Sequence, residues 1–171
     1  MSNRNWIVLF AAGLVLFVLV VACGGGGNGG AKLYKKNENV KVGKALWKLL
    51  DVETGTEYSK KDGGRISAEG MFVLLKVSMK NEGNEQTMLT GEELELVDDS
   101  KNTYSFDSRN NNIYLSNLGK ENLVNQGGVA SGKTITGWII FDVSKDSKGL
   151  KLKAKDIDIR TRESALVDLG L

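Results

Sequence analysis

The sequence predicts an antiparallel β-sandwich that begins near Val40 and fills most of the chain. Three observations predict this class. Apolar residues recur mostly at every second position, turn-forming residues separate these runs, and no convincing amphipathic helical pattern interrupts them. About seven short strands joined by regular turns are typical of a two-sheet sandwich.

The composition excludes several classes of function. The 171 residues include 23 Lys and Arg against 21 Asp and Glu, a formal net charge of +2, whereas a dedicated nucleic-acid binder needs a clustered basic field. There is no His, so a Ser–His–Asp triad is impossible, and a single Cys makes neither an internal disulfide nor a multi-thiolate metal site. We therefore expect a protein that is not an enzyme and has no cofactor.

Residues 1–22 have the pattern of an export signal. A short polar region with one cation, Arg4, precedes an uncharged apolar run from Trp6 to Ala22. A retained membrane helix is the alternative interpretation, although the run lies at the lower edge of the length that spans a bilayer.

The end of this run resembles the lipobox of bacterial lipoproteins. Val20, Val21 and Ala22 precede Cys23, although Val20 stands where Leu is usual. In lipoproteins this Cys receives a diacylglyceryl thioether and becomes the new N-terminus, and two or more acyl chains hold a protein stably on a membrane. The resemblance implies lipidation at Cys23 and a protein anchored to the cell membrane on its extracytoplasmic side.

Residues 23–39 are interpreted as the lipidated Cys and a flexible Gly-rich linker. A dense glycine run costs too much backbone entropy to fold, and a coil of this length reaches about 20–24 Å. A basic cluster near this end either meets anionic lipid headgroups or only aids solubility, and both interpretations stay open. The cluster comprises Lys32, Lys35, Lys36, Lys41 and Lys44.

Alternation of apolar and polar residues predicts the strands of a domain at 40–162. The run 135–143 is apolar on both faces and therefore predicts a central strand. Residues 163–171 are predicted to be a C-terminal tail, too short for more than a turn or two of helix. The residues predicted to face the core are Met71, Val73, Leu75, Val77 and Met79; Leu94 and Leu96; Leu150, Leu152 and Ala154; and Ile157 and Ile159.

Three patterns within these runs carry a family resemblance. They are Glu69–Gly83 (G-x-F-V-x-V-x-V-x-x-K-N-x-G), Leu96–Tyr104 (L-x-D-x-x-G-x-x-Y) and Gly132–Val143 (G-x-x-x-x-G-x-x-x-F-x-V). Together they resemble a bacterial lipoprotein domain family of unknown function that is similar to telokin-like, immunoprotective extracellular proteins. The resemblance implies an immunoglobulin-like sandwich over Val40 to Arg160 and supplies no catalytic residues. One departure is Ser144, where the family usually has Pro.

A phosphate-loop pattern, G-x-x-x-x-G-K-T, occurs at Gly127–Thr134. A true phosphate loop joins a strand to a helix whose N-terminus faces the anion. Here Thr134 opens a β-branched, aromatic run that already ends at Asp142, which leaves no room for a helix. We therefore expect a Gly-rich turn and no bound nucleotide.

The side chains of Asp98, Asp99, Asn102 and Asp107 carry oxygen atoms of the kind that bind calcium. The spacing and the closing Glu of the twelve-residue calcium loop are missing. A hydrated hairpin turn is the better interpretation, so no metal site is predicted.

The best candidate for partner contact is segment 104–126, which is Asn-rich and contains Tyr104, Phe106 and Tyr114. Tyrosine rings provide contact area, and amides provide adaptable hydrogen bonds. The alternative is a long connection whose aromatic side chains plug the end of the sandwich. Trp47 and Trp138 are predicted to be core residues.

These observations favour a membrane-anchored lipoprotein with a non-enzymatic domain. Its expected partners are the membrane, through lipidated Cys23, and an unknown protein or envelope component, with neither nucleic acid nor nucleotide among them. The alternative is a structural or protective surface lipoprotein without a specific ligand.

Overall fold

The computed structural model describes residues 32–171, so the predicted signal peptide and the predicted lipidation site, Cys23, lie outside the described residues. The elements are β1 (Leu33–Tyr34), β2 (Val40–Val42), β3 (Ala45–Ser59), β4 (Arg65–Asn81), β5 (Leu94–Val97), β6 (Thr103–Ser105), α1 (Ser108–Leu118), a 3₁₀ turn (Val124–Gln126), β7 (Thr134–Val143), β8 (Lys151–Lys155) and β9 (Ser164–Asp168). None of the helices in this described part is long and apolar enough to cross a membrane.

The strands form two sheets that face each other. One has the order β1-β9-β8-β5-β6 and the other the order β2-β3-β4-β7. The strands pair antiparallel, with the exception of β1, which runs parallel to β9. The predicted all-β sandwich is therefore confirmed.

The main core lies between the sheets and contains the predicted alternating residues with the exception of Ile159. Leu150, Leu152 and Ala154 are buried, because strand side chains point alternately to opposite faces. Trp47 is also buried, as predicted, and its indole N–H donates to the carbonyl of Lys155 at 2.9 Å. That bond joins β3 of one sheet to the end of β8 in the other.

The prediction of a central strand at 135–143 is wrong, because β7 is an edge strand of its sheet. Its second apolar face is covered by α1, a helix that the sequence did not predict. A second, smaller core lies between this helix and the outer face of the sheet. The buried members of this outer core are Ile66, Phe72, Leu74, Leu115 and Ile140.

The strand predicted through Ile157 and Ile159 does not form. Residues 156–163 are instead a loop in which Ile159 is 91% exposed. The sandwich also extends beyond the predicted limits of 40–162. β1 lies within the stretch predicted as linker, and β9 lies within the predicted tail, where it pairs with β8.

The two ends of the sandwich carry different loops. Strand register places the turn 43–44 and the loops 82–87 and 156–163 at the end where β1 begins, here called the β1 end. Two bonds hold these loops together: the amide of Gly43 donates to Glu163 at 3.0 Å, and the amide of Lys44 donates to Asp156 at 2.8 Å. The turn 98–102 and the loop 144–149 lie at the opposite end.

Candidate functional site

The predicted contact segment 104–126 forms the end of β6, helix α1 and the 3₁₀ turn. Its three aromatic residues are divided between the two cores. Tyr104 and Phe106 pack against the main core, and Tyr114 packs edge-on against Phe72, with ring centroids 5.4 Å apart. The Tyr104 hydroxyl also lies 2.6 Å from the Ser147 Oγ. The structure does not bring the predicted contact residues into one exposed patch.

Phe106 also fixes the loop that precedes β5. Gly91 lies over the Phe106 ring with φ of 93°, and a Cβ at this position would come within 2.2 Å of the ring. Only glycine combines that backbone conformation with so close an approach. The alternative interpretation, in which the aromatic side chains plug the end of the sandwich, is closer to the packing of Tyr104 and Phe106, whereas Tyr114 packs in the outer core.

The side chain of Asn111 holds α1 against the edge of β7 that has no neighbouring strand. Its side chain is buried; Oδ1 accepts from the Ile140 amide at 2.8 Å, and Nδ2 donates to the Ile140 carbonyl at 2.8 Å. Nδ2 also donates to the Asp107 carbonyl at 3.0 Å. One amide side chain thus replaces the strand neighbour that an edge strand lacks. Nothing in the sequence distinguishes Asn111 from the other asparagines of the segment.

Residues that follow the helix cover the same edge further along. The Trp138 amide donates to the Glu121 carbonyl at 2.7 Å, and the Leu123 amide donates to the Trp138 carbonyl at 2.9 Å. Gly137 allows this approach, because a Cβ there would lie 2.6 Å from the backbone of Leu123. Segment 104–126 is therefore part of the fold as well as part of its surface.

Amide side chains of the segment converge on one groove of about 460 Å³, here called the amide groove. Asn112 Oδ1 accepts from the side-chain amides of Asn122, at 2.6 Å, and Asn125. Gln126 Nε2 donates to the Thr136 carbonyl at 2.7 Å. The groove is lined by Asn112, Ser116, Lys120, Glu121, Asn122, Asn125 and Gln126.

The side chain of Lys120 forms one wall of the amide groove, and its ammonium group is held in a fixed position. The Lys120 ammonium lies 3.5 Å from the centre of the Trp138 ring and 2.7 Å from Glu53 Oε1. An ammonium held against an aromatic face and a carboxylate is fixed in position more firmly than a free surface lysine. Trp138 is half-buried and packs against the outer core, so it does not lie in the main core with Trp47.

The calcium-like and phosphate-like sequences have ordinary structural roles. The Asp98 carboxylate accepts from the Asn102 amide and side chain, both at 2.8 Å, and these bonds, led by the side-chain one, lower the pKa of Asp98. No group of three metal-binding side chains occurs among residues 32–171. Gly132 and Lys133 form a turn into β7, which begins at Thr134 as the sequence predicted.

Three lysines of the predicted basic cluster form ion pairs. The pairs are Lys36 with Asp51 at 2.9 Å, Lys41 with Glu82 at 2.9 Å, and Lys44 with Asp158 at 2.8 Å. Because carboxylates offset these charges, the cluster is a weaker basic patch than the sequence indicates.

Residues 34–163 match the model of the DUF4352 family, described as a domain of unknown function. The chain belongs to this family. The DUF4352 match begins in β1 and stops just before β9, so the family region includes both the helix and the amide groove. No curated protein matches the sequence.

Solved structures show the same fold at low sequence identity. The yjhA protein from Bacillus subtilis is 18% identical with a TM-score of 0.56, over 80% of this chain and 98% of that chain. MPT63, a secreted protein from Mycobacterium tuberculosis, is 12% identical with a TM-score of 0.53, over 81% and 95%. A candidate lipoprotein from Bacillus subtilis, ycdA, is 16% identical with a TM-score of 0.51, over 80% of this chain and 39% of that chain. These likenesses show that the DUF4352 chain shares their β-sandwich.

Proposed function

We propose that this protein is a lipid-anchored, extracytoplasmic lipoprotein whose sandwich is a non-enzymatic binding module for a protein or an envelope component. The anchor is Cys23, which follows the lipobox-like residues Val20, Val21 and Ala22. The contact surface is the amide groove. Tyr104, Phe106 and Tyr114, the contact residues predicted from the sequence, pack against the two cores instead.

Two structural neighbours support the proposed location. One is a candidate lipoprotein and another is a secreted protein. The apolar run that ends at Ala22, directly before a lone Cys, supplies the export signal and the attachment point that such a location requires.

The observation that carries the proposed binding role is the ordering of the amide groove. Asn112 receives hydrogen bonds from two other side-chain amides, so the exposed amides of Asn112 and Asn125 and the buried amide of Asn122 are fixed relative to one another. A carboxamide both donates and accepts hydrogen bonds, which suits a polar ligand. Side chains that are already ordered lose little entropy when a partner binds.

The matched experiment compares two double substitutions in different parts of the surface. Asn112→Ala with Asn125→Ala removes exposed amides of the groove, whereas Asn84→Ala with Gln86→Ala removes exposed amides at the β1 end. We expect crosslinking on intact cells to capture at least tenfold less of the partner with the groove variant and unchanged amounts with the control. The free energy of unfolding of each variant should lie within about 1 kcal/mol of the wild-type value, since all four side chains are exposed.

If the two variants capture equal amounts of the partner, the groove is not the contact surface. If the wild-type chain captures no defined partner on intact cells, the alternative of a structural or protective surface lipoprotein is favoured instead.

A further inference from the structure

We propose that the β1 end of the sandwich rests on the membrane surface, with loop 156–163 contacting anionic phospholipid headgroups through Ile159 and its cationic neighbours. This inference rests on the proposed lipid anchor at Cys23. It goes beyond that anchor because it identifies the face of the domain that meets the lipid and the residues that make the contact.

The topology sets which end of the domain is nearest to the anchor. β1 runs parallel to β9, with Leu33 opposite Leu166, so the chain enters the sandwich from the end that carries loop 156–163. The ten residue steps from Cys23 to Leu33 span at most about 33–36 Å. A lipid on Cys23 therefore keeps the β1 end within that distance of the bilayer.

The surface of this loop combines an apolar side chain with outward-facing cations. Ile159 is 91% exposed, more than the other large apolar residues among those the structure describes. The side chains of Arg160 and Lys44 are 81% and 51% exposed, whereas the Asp158 side chain between them is only 12% exposed. Arg162 is exposed as well. The loop therefore presents an apolar tip flanked by two arginines, whose charge is partly offset by the inward-facing Asp158 and the exposed Glu163.

The loop is held rigidly in this conformation. Asp158 accepts from Arg160 Nη2 at 2.7 Å and from Lys44 Nζ at 2.8 Å, and these bonds, first that of Arg160, hold the pKa of Asp158 well below its usual range. The Thr161 hydroxyl donates to Asp156 at 2.8 Å, and the Thr161 amide donates to the Asp158 carbonyl at 2.9 Å. The exposure of Ile159 is thus a fixed feature of a braced turn.

A lipid surface fits this combination of groups. Long cationic side chains keep their charge at the headgroup level, while an apolar tip enters the boundary of the acyl region. Each such contact is weak alone, but anionic headgroups attract nearby cations, and an anchored domain meets the membrane at a high effective concentration. Weak contacts are then sufficient to set an orientation.

That orientation has a consequence for the amide groove. The groove lies beside the first part of β7 and shares no lining residue with the pocket at loop 156–163, so lipid contact through that loop and partner contact through the groove use different residues.

The test uses the full chain, purified with its lipid and placed in phosphatidylcholine vesicles that contain phosphatidylglycerol. When Cys23 carries lipid, an introduced cysteine is the one free thiol of the chain, because the sequence has no other Cys. Ile159→Cys is labelled with an environment-sensitive fluorophore, and Asp146→Cys, exposed in loop 144–149, is the matched control at the opposite end. Quenching by brominated phospholipids is then measured for both.

We expect the label at position 159 to be quenched at least threefold more than the label at position 146. We also expect this difference to shrink when phosphatidylglycerol is left out. Equal quenching at the two positions would overturn the proposal. A signal at position 159 that changes with the protein-to-lipid ratio would overturn it in favour of contact between two copies.

The intact mass of the same preparation separates this proposal from the one on which it rests. A chain that carries lipid but shows equal quenching contradicts the orientation alone. A chain without lipid on Cys23 contradicts the anchor, and the orientation with it.

Discussion

Trp47→Ala is expected to lower the free energy of unfolding by about 3–5 kcal/mol, because it removes a large fully buried side chain and leaves a cavity between the sheets. The side chain is 1% exposed. Its indole N–H also satisfies the carbonyl of Lys155 in the opposite sheet, at 2.9 Å, and the substitution leaves that acceptor without its partner. Urea unfolding followed by circular dichroism measures the change.

The matched control for this prediction is Trp138→Ala. Trp138 is the same residue type, but it is half-buried on the outer face of the sheet and lines the smaller core. We expect a clearly smaller loss of stability there. Equal losses at the two positions would show that the space between the sheets is not the main source of stability.

Asn111→Ala is expected to lower the free energy of unfolding by about 2–3 kcal/mol, because it leaves both backbone groups of Ile140 unpaired in a buried place. The Ile140 amide hydrogen should also exchange with solvent much faster than in the wild-type chain. Urea unfolding and hydrogen exchange measure these two effects.

The neighbouring Asn110→Ala is the control for Asn111→Ala. Asn110 is exposed, and its side chain bonds only locally, to Asp107 at 2.9 Å. Its loss should cost less than about 1 kcal/mol. If both substitutions have the same effect, the side chain of Asn111 does not hold the helix to the β7 edge.

The inward-facing strand residues were predictable where one face of a strand packs on the main core and the other meets solvent. Leu150, Leu152 and Ala154 alternate with lysines for this reason, and all three are buried. In the second half of β4 the inward face that includes Val73, Leu75 and Val77 was also predicted, although Phe72 and Leu74 on its other face pack into the outer core. A period of two therefore predicts such strands well.

The same rule failed where a helix covers the outer face of a strand. The run 135–143 is apolar on both sides because α1 packs across it, although β7 stands at the edge of its sheet. The helix itself gave little signal, since its Asn-rich sequence has low helix propensity and places few apolar residues on one face. Tertiary packing decides this element.

Alternation was misleading at Ile157 and Ile159. There the intervening acids brace a turn: Asp156 and Asp158 accept bonds from Thr161 and Arg160 and do not face solvent from a strand. Polar residues that satisfy loop backbone groups produce the same period as a half-buried strand.

The sequence predicted the segment that contains the candidate site, but it did not predict which residues of that segment form the surface. The aromatic side chains that pointed to segment 104–126 pack into the cores, and the amides form the surface instead. Asn112 meets Asn122 and Asn125 only because the chain reverses after α1, and no spacing rule in the sequence encodes that meeting. The Asn-rich composition of the segment was therefore a better guide to the candidate site than the three aromatic residues singled out within it.

The intact mass of the full-length gene product, purified from the membranes of a bacterium that processes lipoproteins, tests the proposed anchor most directly. We predict the mass of residues 23–171 plus a diacylglyceryl group, and a larger unprocessed or soluble form for Cys23→Ser. Asn28→Ser, which leaves the lipobox-like residues intact, should be processed like the wild type. An unmodified Cys23 in the wild-type protein, or identical processing of the wild type and Cys23→Ser, would contradict the account of a lipid-anchored sandwich.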